Sequence, residues 1–102
     1  MSDEEEPVLK TIQEAKMAIK ILAQLNQKRE KLGKDYAWLY ISEAMRELKG
    51  FKAMTIRSFI AKLQKRKVIE FIPPQDWGGA FRYTARGEQR IKEELAKLSV
   101  VL

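Results

Sequence analysis

The hydrophobic period of this chain switches from 3.6 to 2 at Val68, and that switch restricts the fold more than any other feature. Before it, Ile56, Ile60 and Leu63 recur on one face of "AMTIRSFIAKLQKR", with Phe59 at the edge, as in an amphipathic helix. After it, Val68-Ile69-Glu70-Phe71-Ile72 reads as a strand that Pro73-Pro74 ends. "PPQDWGG" is rich in turn formers, and Ala80-Phe81-Arg82-Tyr83 reads as the returning strand. Thr84 is placed to cap a last helix with Ile91, Leu95 and Leu98 along one stripe.

Upstream, 8–32 contains no Pro or Gly and its apolar spacing is helical, with Pro7 setting the start. Val8, Ile12, Ala15, Ile19 and Leu22 build one stripe; Ala18, Ile21, Leu25 and Leu32 build another. A helix of roughly 25 residues is about 37 Å long. One stripe is therefore expected in the core and the other against a second subunit, the alternative being one wide core face in the first half. Gly33 supplies the stop. Tyr36 to Ile41 suits a short strand, and Ile41, Ala44, Met45 and Leu48 place a helix over at least 42–48, capped by Ser42 if the strand forms. Gly50 and Phe51 separate it from the amphipathic helix. The expected class is mainly α with a small β-hairpin, in one domain.

The chain holds no Cys and no His. That removes disulfides, thiolate or imidazole metal sites, a Cys nucleophile and every His-based triad. Oxygen-only metal sites stay formally open, but no pair of carboxylates or lysines stands at a telling spacing, so an enzyme is the weakest reading and no cofactor is expected. No apolar run approaches the ~20 residues of a membrane span, and the acidic opening lacks a signal-peptide core, so a cytoplasmic protein is expected.

Lys and Arg number 20 against 14 Asp and Glu, a net charge of +6. Four of those acids, Asp3 to Glu6, crowd into the opening seven residues, a tail expected to be self-repelling and disordered. Between 46 and 67 stand eight basic residues against Glu47 alone. Such a stretch reads as a surface for polyanions, nucleic acid first, with a solvated helix face as the bland alternative.

The run "GFKAMTIRSFIAKLQKRKVIEFI" resembles the turn and recognition helix of winged helix-turn-helix regulators of the MarR, PadR and ArsR kinds. Gly50 and Phe51 fill its turn positions, Ile56, Ile60 and Leu63 its apolar ones. "FRYTARGEQRI" resembles the closing strand and helix start of the same regulators, through Phe81, Tyr83, Thr84, Gly87 and Ile91. The resemblance covers about 42–98 and implies a recognition helix at about 53–67, a wing at about 68–84 and a C-terminal helix at about 85–98, within one domain spanning 8–102.

It also implies double-stranded DNA as partner, with nucleoid association, and a homodimer acting as a sequence-specific transcriptional regulator. Arg57 is the expected base reader, since its fork matches the guanine edge. Thr55 and Ser58 are expected to donate to phosphate or base, and Lys52 and Lys62 to bind phosphate. Arg66 and Arg82 complete the expected DNA-binding set, although Lys65, Arg66 and Lys67 also suit the helix dipole. Lys52 stands where the family often has a Ser or Thr cap, and the wing offers only Arg82, with Trp77 as an apolar wedge or a lid. Dimerisation is expected through Ile21, Leu25, Leu95, Leu98 and Leu102. The alternatives are an architectural or plasmid-partition DNA binder and a protein-interaction module docking through Val100-Val101-Leu102. Nothing convergent marks an effector pocket.

Overall fold

The structure is a computed structural model, and it describes residues 6–72 and 79–98. The expectations for the acidic opening up to Glu5, for Trp77 and for Leu102 concern residues outside those described. Along the chain run α1 (Ile12–Leu32), a single 3-10 turn (Lys34–Tyr36), β1 (Leu39–Tyr40), α2 (Ile41–Glu47), α3 (Ala53–Lys65), β2 (Ile69–Phe71), β3 (Ala80–Tyr83) and α4 (Ala85–Leu98). The fold is mainly helical, with one small antiparallel sheet in the order β1-β3-β2.

α1 begins at Ile12 and not near Pro7, because Thr11 caps it. The Glu14 N–H donates to Thr11 Oγ1 at 3.0 Å, and the Glu14 carboxylate turns back to accept from the Lys10 N–H at 2.8 Å. Val8 and Leu9 are buried outside the helix, as a strap across α4. Their N–H groups donate to the two oxygens of Glu94 at 3.0 and 2.8 Å, so the strap needs no helical hydrogen bonds. At the other end Gly33 adopts φ +87° and its N–H reaches the Arg29 carbonyl at 2.9 Å.

The two expected stripes of α1 merge into one buried face of Ala15, Met17, Ala18, Ile19, Ile21 and Leu25. Ile21 and Leu25, expected at a subunit interface, are buried in the chain's own core and cannot line an outer surface. Ile12 and Leu32, counted as stripe members, are exposed. The wide-face alternative is the one the structure adopts. Leu95 is half-buried against the core, and Leu98 is half exposed at the end of α4.

β3 is central. It pairs Leu39 with Phe81 on one side, and Ile69 with Tyr83 and Phe71 with Phe81 on the other. The Phe71 and Phe81 rings pack at 5.7 Å on one face, while Glu70 and Arg82 pair across the opposite face. β2 is shorter than the expected 68–72, because Val68 ends the preceding turn. Ile72 still donates to the Ala80 carbonyl at 3.0 Å. Tyr83 lies under α1, its hydroxyl donating to the Ala18 carbonyl at 3.0 Å, so the aromatic joins sheet to helix through both packing and a buried hydrogen bond. Ser42 does not cap α2. The helix starts one residue earlier, and Glu43 closes it by accepting from the Tyr40 N–H at 3.0 Å.

α3 sends Ile56, Phe59, Ile60 and Leu63 into this core. A fully buried leucine such as Leu63 stabilises the domain by about 2–5 kcal/mol relative to alanine. Its C-terminus is a Schellman motif: Val68 N–H to the Leu63 carbonyl at 2.9 Å, and Lys67 N–H to the Gln64 carbonyl at 3.0 Å. Lys67 holds the left-handed position at φ 61°.

Candidate nucleic-acid interface

The inward face of α3 fixes what its outward face offers. Opposite Ile56, Phe59, Ile60 and Leu63 stand Ala53, Met54, Arg57, Ser58, Ala61, Gln64 and Lys65, all exposed. The helix contains no acidic residue. Arg57 and Ser58 lie on this face as expected, with Lys52 exposed just before the first turn. Among the described residues Lys52, Arg57 and Lys65 form no ion pair, so their charge is available to a partner.

The other expected contacts are placed differently. Thr55 is half-buried toward α1, where it lines a shallow groove with Met17, Lys52, Met54, Ser58 and Phe59. Lys62 turns the same way and its Nζ binds Glu14 Oε2 at 2.8 Å. Burial acts to raise the Glu14 carboxyl pKa, but the Lys62 ammonium and the Lys10 backbone N–H outweigh it and hold the group below its ordinary value. Arg66 donates from Nη2 to the Glu6 carbonyl at 2.7 Å, joining the end of α3 to the N-terminal strap. Arg82 binds Glu70 at 3.2 Å, and its guanidinium stacks 4.2 Å over the Trp38 ring. Lys62, Arg66 and Arg82 are thus engaged within the chain, whereas Lys52, Arg57 and Ser58 face outward.

Met54, Ala61 and Gln64 also belong to the outer face, beyond the residues expected from the sequence, and Lys65, expected to serve the helix dipole, stands there with them. The signal for them was present: the inward set at 56, 60 and 63 places 54, 57, 58, 61 and 65 opposite at 3.6 residues per turn.

α1 is tied to α3 from behind its outward face. Besides Glu14–Lys62, it pairs Lys28 with Glu43 of α2 at 2.6 Å, and Arg29 grips both carboxylate oxygens of Glu88 on α4. The Arg29 hydrogen bonds, ahead of burial acting the other way, hold Glu88 below the ordinary carboxylate range. Glu43 is held low as well: burial would raise it, and the Lys28 ammonium and the Tyr40 N–H overcome that.

Among the described residues no group of three acids is arranged to hold a metal, and no helix is long and apolar enough to cross a membrane. No protein-family model, curated protein or solved structure matches the chain.

Proposed function

We propose that this chain is a winged helix-turn-helix protein that binds double-stranded DNA with α3 in the major groove, and that it acts as a homodimeric transcriptional regulator. The observation that carries the reading is the outer face of α3. It is free of acids, bears Arg57 and Lys65 with Lys52 at its head, and has small side chains at Ala53, Ser58 and Ala61 that permit close approach. A helix dipole with its positive end at Ala53 adds to the attraction for phosphate.

Two further features support it. From α2 onward the element order, helix–helix–hairpin–helix, is compatible with the layout that the sequence resemblance implies. The turn between α2 and α3 is short and closed by Phe51 N–H to the Leu48 carbonyl at 2.9 Å, as a helix-turn-helix requires. In this account Arg57 reads a guanine edge, Ser58 and Lys52 hold phosphates, and Lys62 positions α3 through Glu14. Dimerisation is assigned to the exposed Leu98 end of α4, since Ile21 and Leu25 are consumed by the core.

The test is a binding selection from a random duplex library at about physiological salt. Enrichment of a palindrome with half-sites about one turn (~34 Å) apart supports a dimeric reader. Retention without a motif replaces it with an architectural binder whose affinity falls steeply with salt. No retention removes the DNA reading.

A further inference from the structure

Met54 is the most exposed large apolar side chain among the described residues, 79 % accessible in the first turn of α3. The fold does not use it: the core draws on the opposite side of the helix, through Ile56, Phe59, Ile60 and Leu63. With Lys52 and Ser58 it lines the mouth of the groove beside α1, and Arg57 follows one turn later. Met54 thus stands as an apolar side chain beside the cations of Lys52 and Arg57; α3 contributes no acid, and Glu14 of α1, which also lines the groove, is bound by Lys62.

We infer that Met54 is a specificity-determining residue that reads the C5-methyl group of thymine in the major groove. The inference rests on α3 being a DNA-reading helix and states what that helix reads. Phosphate and sugar present charge and hydrogen-bonding oxygens, for which a thioether is a poor match. In the major groove the apolar group that a base pair presents is the thymine methyl. The N-terminal residues of a recognition helix approach the base edges, and Met54 is the second residue of α3. An unbranched, polarizable side chain can settle on a single methyl without demanding one rigid geometry. Arg57, three residues on, faces the same way, so the two side chains reach adjacent base pairs: a guanine for the guanidinium and a thymine for the thioether. An apolar protein partner would also accept a methionine, but Lys52 and Arg57 beside it, with Lys65 further along the same face, favour a polyanion.

Deoxyuridine differs from thymidine only by that methyl, which makes the test sharp. Two random duplex pools, one with thymine and one with deoxyuridine, are offered to the full chain and to Met54→Ala and Met54→Gln. Both variants keep the fold because the side chain is exposed, and thermal melts verify it. The expected result is a thymine beside the guanine in the selected site. Replacing that base by deoxyuridine weakens the wild type about fourfold, the factor for one buried methyl-sized group, and leaves Met54→Ala unchanged. Equal wild-type affinity for the two duplexes, or a deoxyuridine penalty that persists in Met54→Ala, overturns the assignment and leaves DNA binding standing. Retention of neither pool overturns the DNA reading itself, and this inference with it.

Discussion

A Cβ added to Gly87 would lie 2.0 Å from the carbonyl oxygen of Val68. The first turn of α4 thus rests directly on the backbone where α3 gives way to β2. Thr84 secures the same junction: its N–H donates to the Val68 carbonyl at 3.0 Å, and its Oγ1 accepts the Gly87 N–H at 2.9 Å as the cap of α4. The glycine is required here for the space it leaves, at a φ that any residue can adopt.

Gly87→Ala is therefore expected to destabilise the domain by about 2–4 kcal/mol, since a backbone carbonyl cannot move aside as a flexible side chain would. Chemical denaturation measures it. An alanine variant as stable as wild type would show that α4 and β2 do not meet at this distance.

Lys67 makes the opposite case. It occupies the left-handed position of the Schellman motif with a side chain that disfavours it. Lys67→Gly should raise stability by up to about 1 kcal/mol, the relieved strain exceeding the added freedom of the unfolded chain. Lys67→Val should lower it. A thermal melt of the two variants separates the outcomes by sign.

Glu14, Glu43 and Glu88 each join α1 to another helix, and all three are held below the ordinary carboxylate value near 4.5. A folded pKa below the unfolded one gives stability that is full above the unfolded value and is lost as pH falls through the folded one. Stability should accordingly be flat from pH 7 to about 5 and fall below about 4.5. Glu88→Gln should remove part of that acid slope and cost on the order of 0.5–1 kcal/mol at pH 7, as suits a partly solvated ion pair. An unchanged slope in Glu88→Gln would detach Arg29–Glu88 from the acid transition.

Lys62 and Lys52 are both lysines at the ends of the candidate interface, and their substitutions should differ. Lys62→Ala strips Glu14 of its ammonium partner and should lower stability by about 1 kcal/mol while changing duplex affinity little. Lys52→Ala should leave the melt alone and weaken binding to every duplex alike. Isothermal titration beside a thermal melt reads both; the reverse pattern would mean that Lys62 leaves Glu14 for phosphate.

What could be read ahead of the structure followed from local pattern. The 3.6-to-2 switch points to α3 and the hairpin, and the bounds of β3 and the start of α4 coincide with expectation. α1 starts later than the absence of Pro and Gly after Pro7 implies, because Thr11-Ile12-Gln13-Glu14 is a local capping signature. The remaining differences are tertiary. Ile21 and Leu25 lie in the core because the buried face of α1, from Ala15 to Leu25, is wider than one stripe. The commitment of Lys62 to Glu14, 48 residues away, and the donation of Arg66 to Glu6, 60 residues away, depend on how the helices cross. No periodicity encodes that.

The central claim is that duplex DNA meets the outer face of α3. The most direct measurement is amide chemical-shift mapping of the isotope-labelled chain during titration with a duplex recovered from the selection. The account predicts perturbations concentrated at Lys52, Met54, Arg57, Ser58, Ala61 and Lys65, with Tyr36 and Tyr40 on the exposed 3-10 and β1 region unmoved. Shifts gathered at Leu32, Tyr36 and Tyr40, with α3 silent, would contradict it.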